Sequence, residues 1–198
     1  MTNRLSETFF ARDTLLVARE LIGKRLVRLD GKNRISGTIL ETEAYRGEED
    51  LACHCRAGRT QRTEVMYGPA GRAYVYLIYG MHWLLNFVTE AEGFPGAVLI
   101  RAIYPQEGTE IIAQRRKGQP RAHWTNGPGK ISQALEINSS QNGINVCSRG
   151  ARLFIERDLE IDPGLIQTGP RIGLDSVSEP WRSIPWRFMV NYQHLLIE

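Results

Sequence analysis

Residues 37–45, GTILETEAY, decide how this chain is read. Taken as a strand, the stretch sends alternate residues to opposite faces. Ile39, Glu41, Glu43 and Tyr45 point one way; Leu40, Thr42 and Ala44 point the other. A carboxylate midway along such a strand is costly to bury unless it is paired or put to use. Tyr45 follows Glu43 on the same face, about 7 Å further along, so an aromatic wall adjoins an acid. That pair points to a pocket for a flat, polar ligand.

Downstream lies an aromatic hairpin, Ala73 to Phe87 (AYVYLIYGMHWLLNF). Tyr74, Tyr76 and Ile78 share one face of its first strand, and Tyr79-Gly80-Met81 form its tip. The return strand alternates Leu84, Asn86 and Val88 against Trp83, Leu85 and Phe87. Most of these rings suit a core. Tyr79 differs, because a large ring beside a turn glycine is poorly placed for burial, and a rigidly presented aromatic is what wedging between stacked bases requires. A further strand, Ala97 to Tyr104 (AVLIRAIY), carries Arg101 in an apolar setting. Such an arginine needs a carboxylate or a phosphate. Glu43 or Glu41 is its natural partner, and a structural salt bridge and a catalytic pair satisfy the need equally.

Between strand and hairpin runs a long connection, Arg46 to Arg72, with little periodicity. Connections of this kind in a compact domain are usually functional or disordered. This one holds Asp50, Cys53, His54, Cys55, Arg56, Arg59 and Arg62, which favours function. Cys53-His54-Cys55 lacks zinc-ligand spacing and has no evident fourth ligand, so no metal is expected. His54 alone reads more often as a structural histidine than as a catalytic one.

Outward from this centre, Asp13 caps a helix from Thr14 to Ile22 that Gly23 stops. Lys24 to Leu29 reads as a strand, and Asp30-Gly31 as the turn after it. Thr109 to Lys117 is a helix whose basic end suits its dipole. Asn126 to Lys130 (NGPGK) opens a helix through Ile137, and Lys130 beside those glycines suits one phosphate. From Asn145 onward the chain reads as strands between Gly/Pro turns, clearest at Arg149 to Glu156 and Pro185 to Tyr192, supplying sheet and core but little chemistry.

Composition sets the class. The chain has 198 residues and 42% hydrophobic content, enough for one packed domain spanning 1–198. The longest apolar run, Ala73 to Tyr79, is far too short to cross a bilayer, so no membrane partner is expected. Met1 to Arg12 lacks the order of a signal peptide. Three cysteines argue against a disulfide framework and fit a reducing, intracellular compartment. The net charge of +3 is concentrated in arginine patches, compatible with a polyanion partner or with solvated surface loops.

Taken together, these motifs resemble the alkyladenine (3-methyladenine) DNA glycosylases, monofunctional base-excision enzymes for alkylated purines. The match is densest in ETEAY (41–45), GEEDLACH (47–54), YVYLIYGMHWLLN (74–86), VLIRA (98–102) and NGPGK (126–130), in one order across nearly the whole chain. The resemblance implies a role for each matched residue. Glu43 becomes the base that activates water, and Arg101 helps hold that water and the flipped nucleotide. Tyr45, His54 and Tyr76 wall the base pocket, and Asn86 discriminates against the exocyclic amine of guanine. Tyr79 is the wedge; Met81, Arg59, Arg62 and Lys130 join it in meeting DNA. The partner would be double-stranded DNA with damaged purines, handled by a monomer without a cofactor. The pattern departs at Arg62-Thr63, where an Arg-Asn pair is usual, and at His82-Trp83, where other aromatics are common.

Extruding a base costs a few kcal/mol, least for a damaged one. Two rivals share some of these features. A non-catalytic damage sensor leaves Glu43 unexplained, and a free-nucleoside hydrolase leaves the wedge and the arginine loop idle. The fold expected is α+β (α/β in the broad sense): one curved, mostly antiparallel sheet, short flanking helices and a protruding hairpin that faces DNA.

Overall fold

A computed structural model gives the fold of residues 3–191 and residue 193. In chain order the strands are β1 (Arg25–Asp30), β2 (Asn33–Arg46), β3 (Ala73–Ile78), β4 (His82–Val88), β5 (Gly96–Glu107), β6 (Leu153–Glu156), β7 (Gln167–Gly169) and β8 (Arg187–Met189). The helices are α1 (Glu7–Phe10), α2 (Thr14–Glu20), α3 (Thr109–Arg115) and α4 (Pro128–Leu135).

Local chemistry sets the element boundaries. Asp13 caps α2 by accepting from the Leu15 and Leu16 amides, and Gly23 turns the chain out at φ 85°. The Asp30–Asn33 hairpin closes through Gly31 at φ 57°. Three helices end earlier than the sequence suggests: α2 at Glu20, α3 at Arg115, and α4 at Leu135, where Glu136 takes the left-handed conformation. The C-terminal strands are also shorter than expected. Ser148 and Ala151 close a turn, which delays β6 to Leu153, and the 185–192 stretch contracts to Arg187–Met189. Tyr192, the expected end of that stretch, lies outside the described residues.

Strand β2 is the spine. It pairs with β1 along its first half and β8 along its second, while β5 covers its other edge. The sheet runs β3-β4-β5-β2-β1-β6, with β8 and β7 added beside β2, and these pairings are all antiparallel. This is the expected α+β architecture, an unclosed and curved sheet.

The β2–β5 register is broken twice near its middle. Ile39 faces Ile103 but Glu41 faces Ala102, so Leu40 is the extra residue on β2. Thr42 then faces Ile100, which leaves Arg101 as the extra residue on β5. Bulges re-aim side chains and favour the neighbourhood of functional sites. The first one corrects the simple alternation: Ile39 packs fully buried in the main core rather than sharing a common face with Glu41, Glu43 and Tyr45.

Two apolar clusters cover the sheet. The main one joins Val17 and Ala18 of α2, Ala44 and Ile100 of the sheet, and Ile131 and Leu135 of α4. Thr42 belongs to this side too, donating to the Ala18 carbonyl at 2.8 Å. A smaller cluster forms where the 46–72 connection folds over the sheet, built from Cys53, Cys55, Met66, Tyr67, Tyr74 and Val88. That connection is therefore ordered by its own small core. Among the described residues no helix is long and apolar enough to cross a membrane.

Candidate active site

A cavity of about 630 Å³ opens between the hairpin, the 46–72 connection, the start of α4 and the 172–174 loop. Strand alternation delivers its aromatic lining. Tyr74, Tyr76 and Ile78 face it from β3, and Leu84 and Asn86 from β4. Tyr74 lies opposite Asn86 in the register, and the Asn86 side-chain amide donates to the Tyr74 carbonyl at 3.0 Å. Tyr45, His54, Tyr79, Arg101 and Lys130 complete the set of predicted residues at this cavity.

Glu43 lies immediately behind the lining and is 0% exposed. Its Oε2 accepts from the Tyr45 hydroxyl at 2.8 Å and from Arg101 Nη1 at 3.3 Å. Its Oε1 accepts from the Ile172 amide at 2.7 Å. The Tyr45 phenol thus reaches the acid directly, although the two residues are about 7 Å apart along the strand. Burial raises the Glu43 pKa; Arg101, the Ile172 N–H and Tyr45 pull it down, and burial prevails. Burial, then the neighbouring carboxylate, pushes the Tyr45 phenol well above its ordinary value, so it stays a donor.

The Arg101 guanidinium is shared. Its Nε donates to Glu41 Oε1 at 3.1 Å, and the same oxygen accepts from Arg187 Nη1 at 3.1 Å. Both partners foreseen for Arg101 are therefore present. The bulge at Arg101 turns its side chain towards these acids.

His54 opens a 3₁₀ turn packed on the aromatic wall. Its ring lies edge-on to Tyr76 at 4.5 Å, and its Nδ1 is 3.0 Å from the Tyr74 hydroxyl. Burial, then Arg62 and Arg56, lowers the imidazole to a pKa of about 4, so it is neutral at pH 7. Cys53 and Cys55 are free buried thiols beside it, and the contact with Cys55, then burial, raises Cys53. Among the described residues no cluster of three or more His, Cys, Asp or Glu is gathered to hold a metal.

The rim is different in character. Tyr79 is 83% exposed and Met81 69%. Tyr79 and Gly80 both have positive φ, 53° and 67°, as a type I′ turn needs at its two central positions. Holding a bulky non-glycine residue there costs of order 1–3 kcal/mol, and such strain gathers at functional sites. Arg62 lies over the Tyr76 ring at 5.3 Å and reaches within 3.4 Å of His54 Nε2. Thr63, which follows Arg62 where the resemblance has Asn, is buried and ties the loop to Thr60 and Gly58. Arg59, outside the cavity lining, forks onto Glu64. Lys130 donates from Nζ to Asn126 at 2.8 Å at the mouth of α4.

Residues that the sequence reading passed over also belong to the site. Ile172, Gly173 and Leu174 form the lip facing the hairpin, and the Ile172 amide holds Glu43. The C-terminal third therefore supplies more than sheet and core. Arg116, assigned above to a helix dipole, is buried against the cavity and donates to Gln133 and to the His123 carbonyl. Only Pro170 and Gly173 flanking an arginine signal the lip locally, and Arg171 meets its partner Asp50 across 121 positions.

Fold and cleft together define an α+β protein that keeps a buried acid behind an aromatic slot. A family model described as Methylpurine-DNA glycosylase (MPG) matches residues 8–194. A Desulfitobacterium hafniense protein is 46% identical over 93% of this chain and 94% of its own length. One from Myxococcus xanthus is 45% identical over 98% and 93%, and one from Chlamydia felis 46% over 94% and 96%. Each of the three is provisionally named a 3-methyladenine DNA glycosylase. The chain belongs to the methylpurine-DNA glycosylase family, the DNA glycosylases of base-excision repair for alkylated purines.

Proposed function

We propose that this glycosylase extrudes an alkylated or deaminated purine from duplex DNA and hydrolyses its N-glycosidic bond with a water activated by Glu43. The observation that carries the reading is a fully buried Glu43, held by Arg101, Tyr45 and the Ile172 amide, behind a cavity whose rim bears an exposed, strained tyrosine. Tyr79 enters the duplex in place of the lesion. Tyr45, Tyr76 and His54 receive the base, with aromatic stacking worth roughly 1–3 kcal/mol per base. Asn86, whose amide is committed to the Tyr74 carbonyl, fixes the edge of the pocket that excludes the guanine amine.

In the chemical step the water attacks C1′, its proton passes to Glu43, and the C1′–N bond breaks with its electron pair on the purine. A raised carboxylate pKa suits a general base. A 3-methyl- or 7-methylpurine is cationic and leaves as a neutral base. Hypoxanthine and ethenoadenine are neutral and need a proton, which a neutral His54 does not supply at pH 7. Charged lesions are therefore the better substrates.

Among the described residues Lys130 is the one lysine lining the cavity, and its Nζ is engaged by Asn126. Displacement by water without a Schiff base makes the enzyme monofunctional. One domain acting as a monomer, without a cofactor, contains all these groups. Arg62, Lys130 and Met81 extend the DNA-facing surface, with Arg59 beside them.

Incubation with a duplex carrying one 7-methylguanine, beside one carrying hypoxanthine or ethenoadenine, followed by alkaline cleavage, tests the reading. Cleavage at the lesion is expected. Binding without cleavage would instead support a damage sensor, and release only from free nucleosides a nucleoside hydrolase.

A further inference from the structure

Arg171 takes no part in the chemistry above, yet it joins three parts of the site. Its side chain and that of Asp50 are both 0% exposed. Nη1 donates to Asp50 Oδ2 at 2.5 Å and to the Ala44 carbonyl at 3.0 Å; Nη2 donates to Asp50 Oδ1 at 2.8 Å and to the Trp181 carbonyl at 3.2 Å. The guanidinium lies over the Tyr45 ring at 4.7 Å. Asp50 in turn begins the turn that carries His54, since its carbonyl accepts from the Cys53 amide.

An ion pair sealed from solvent adds little net stability compared with an apolar pair, because desolvation offsets its attraction. What a planar, bidentate fork fixes well is orientation. The residue next along the chain, Ile172, is 50% exposed, so its own side chain does not anchor its peptide. Yet that peptide supplies the N–H on Glu43 Oε1.

We propose that Arg171 is a positioning residue for excision, its fork on Asp50 and its contact with Tyr45 holding the next peptide so that the Ile172 N–H meets Glu43. The inference rests on Glu43 acting as the base. The charged and titratable groups facing Glu43 are Arg101 from β5, Glu41 and Tyr45 from β2, Tyr76 from β3, and Arg187 of β8, which lies opposite Glu43 in the register and donates to Glu41. Losing the Ile172 donor removes stabilisation from the ionised acid alone, so the acid limb of the rate profile moves to higher pH.

The test is single-turnover excision from a hypoxanthine-containing duplex, measured against pH, beside affinity for an abasic-site analogue. Arg171→Lys keeps the charge and loses the fork. It is expected to slow excision about 100-fold, the scale of a small misplacement, to move the acid limb up by about one pH unit, and to hold the affinity. A variant that folds and keeps the wild-type limb, or loses rate only in step with affinity, would overturn the proposal. Should Arg171→Lys fail to fold, Ile172→Pro removes the donor itself at a half-exposed position, while also fixing φ there and replacing one cavity-lining side chain. The same upward shift there supports the proposal, and an unmoved limb overturns it. Glu43→Gln run alongside separates the two levels: wild-type excision by that variant refutes the assignment of Glu43, and the positioning role with it.

Discussion

Glu43 and Tyr79 belong to one cleft but live in opposite surroundings. Glu43 is sealed at 0% exposure with donors on both oxygens; Tyr79 is 83% exposed, and only its turn dictates where the ring goes. A buried, multiply bonded acid is suited to a fixed chemical task and is costly to keep charged. An exposed ring on a strained backbone gains nothing until a partner covers it. On the proposed reading, the floor of the cleft answers for rate, and the rim for affinity and extrusion.

The largest effect is expected at the floor. Glu43→Gln should lower single-turnover excision by on the order of 10²–10⁴-fold while leaving binding to lesion DNA in place. The same change should raise thermal stability at neutral pH. Because the folded pKa of Glu43 is raised, the folded chain binds this proton more tightly than the unfolded chain. The charged acid thus costs stability increasingly as pH climbs through the raised value. A melting curve of Glu43→Gln at neutral pH lying below the wild type would contradict that.

Next comes the rim. Tyr79→Ser should lose roughly 1–3 kcal/mol of affinity for an abasic-site analogue, the worth of one stacked ring. Unchanged affinity would remove the wedge from the account. Arg62 and Arg59 then sharpen the division within one loop. Arg62→Ala should weaken binding and flatten the salt dependence by about one unit of slope. Arg59→Ala, breaking an exposed fork with Glu64, should leave the melting temperature close to that of the wild type.

His54 gives the smallest signal, and it is read in pH. Its pKa falls from 6.5 to about 4 on folding, so the unfolded chain binds the extra proton first. Stability present above pH 6.5 is then lost as pH drops towards 4, and His54→Gln should flatten that slope in denaturant titrations. An identical slope in the variant would mean that the ring is not buried neutral.

Much of this contrast was legible in the sequence, because it follows from local rules. Alternation along β3 and β4 placed Tyr74, Tyr76 and Asn86 on one face, and an aromatic beside Gly80 could only be a tip. An arginine in an apolar strand demanded Glu41 or Glu43, and it holds both. What stayed hidden depends on register and distance. Leu40 and Arg101 are surplus residues in a pairing, which no single strand reveals. The Ile172 amide is a backbone group, and its arrival at Glu43 leaves no mark on residue type. Asp50 stands among the residues of the functional loop and Arg171 looks like a surface charge, and nothing local says that the fold buries them together.

The separation of floor from rim is tested most directly with ethenoadenine, whose fluorescence reports its surroundings, in a stopped-flow single turnover followed by alkaline cleavage of the same samples. Glu43→Gln should keep the rapid fluorescence change of extrusion and lose the cleaved strand. Tyr79→Ser should lose or slow the fluorescence change, with cleavage falling in step. A Glu43→Gln protein that cleaves at the wild-type rate would contradict the account at its centre.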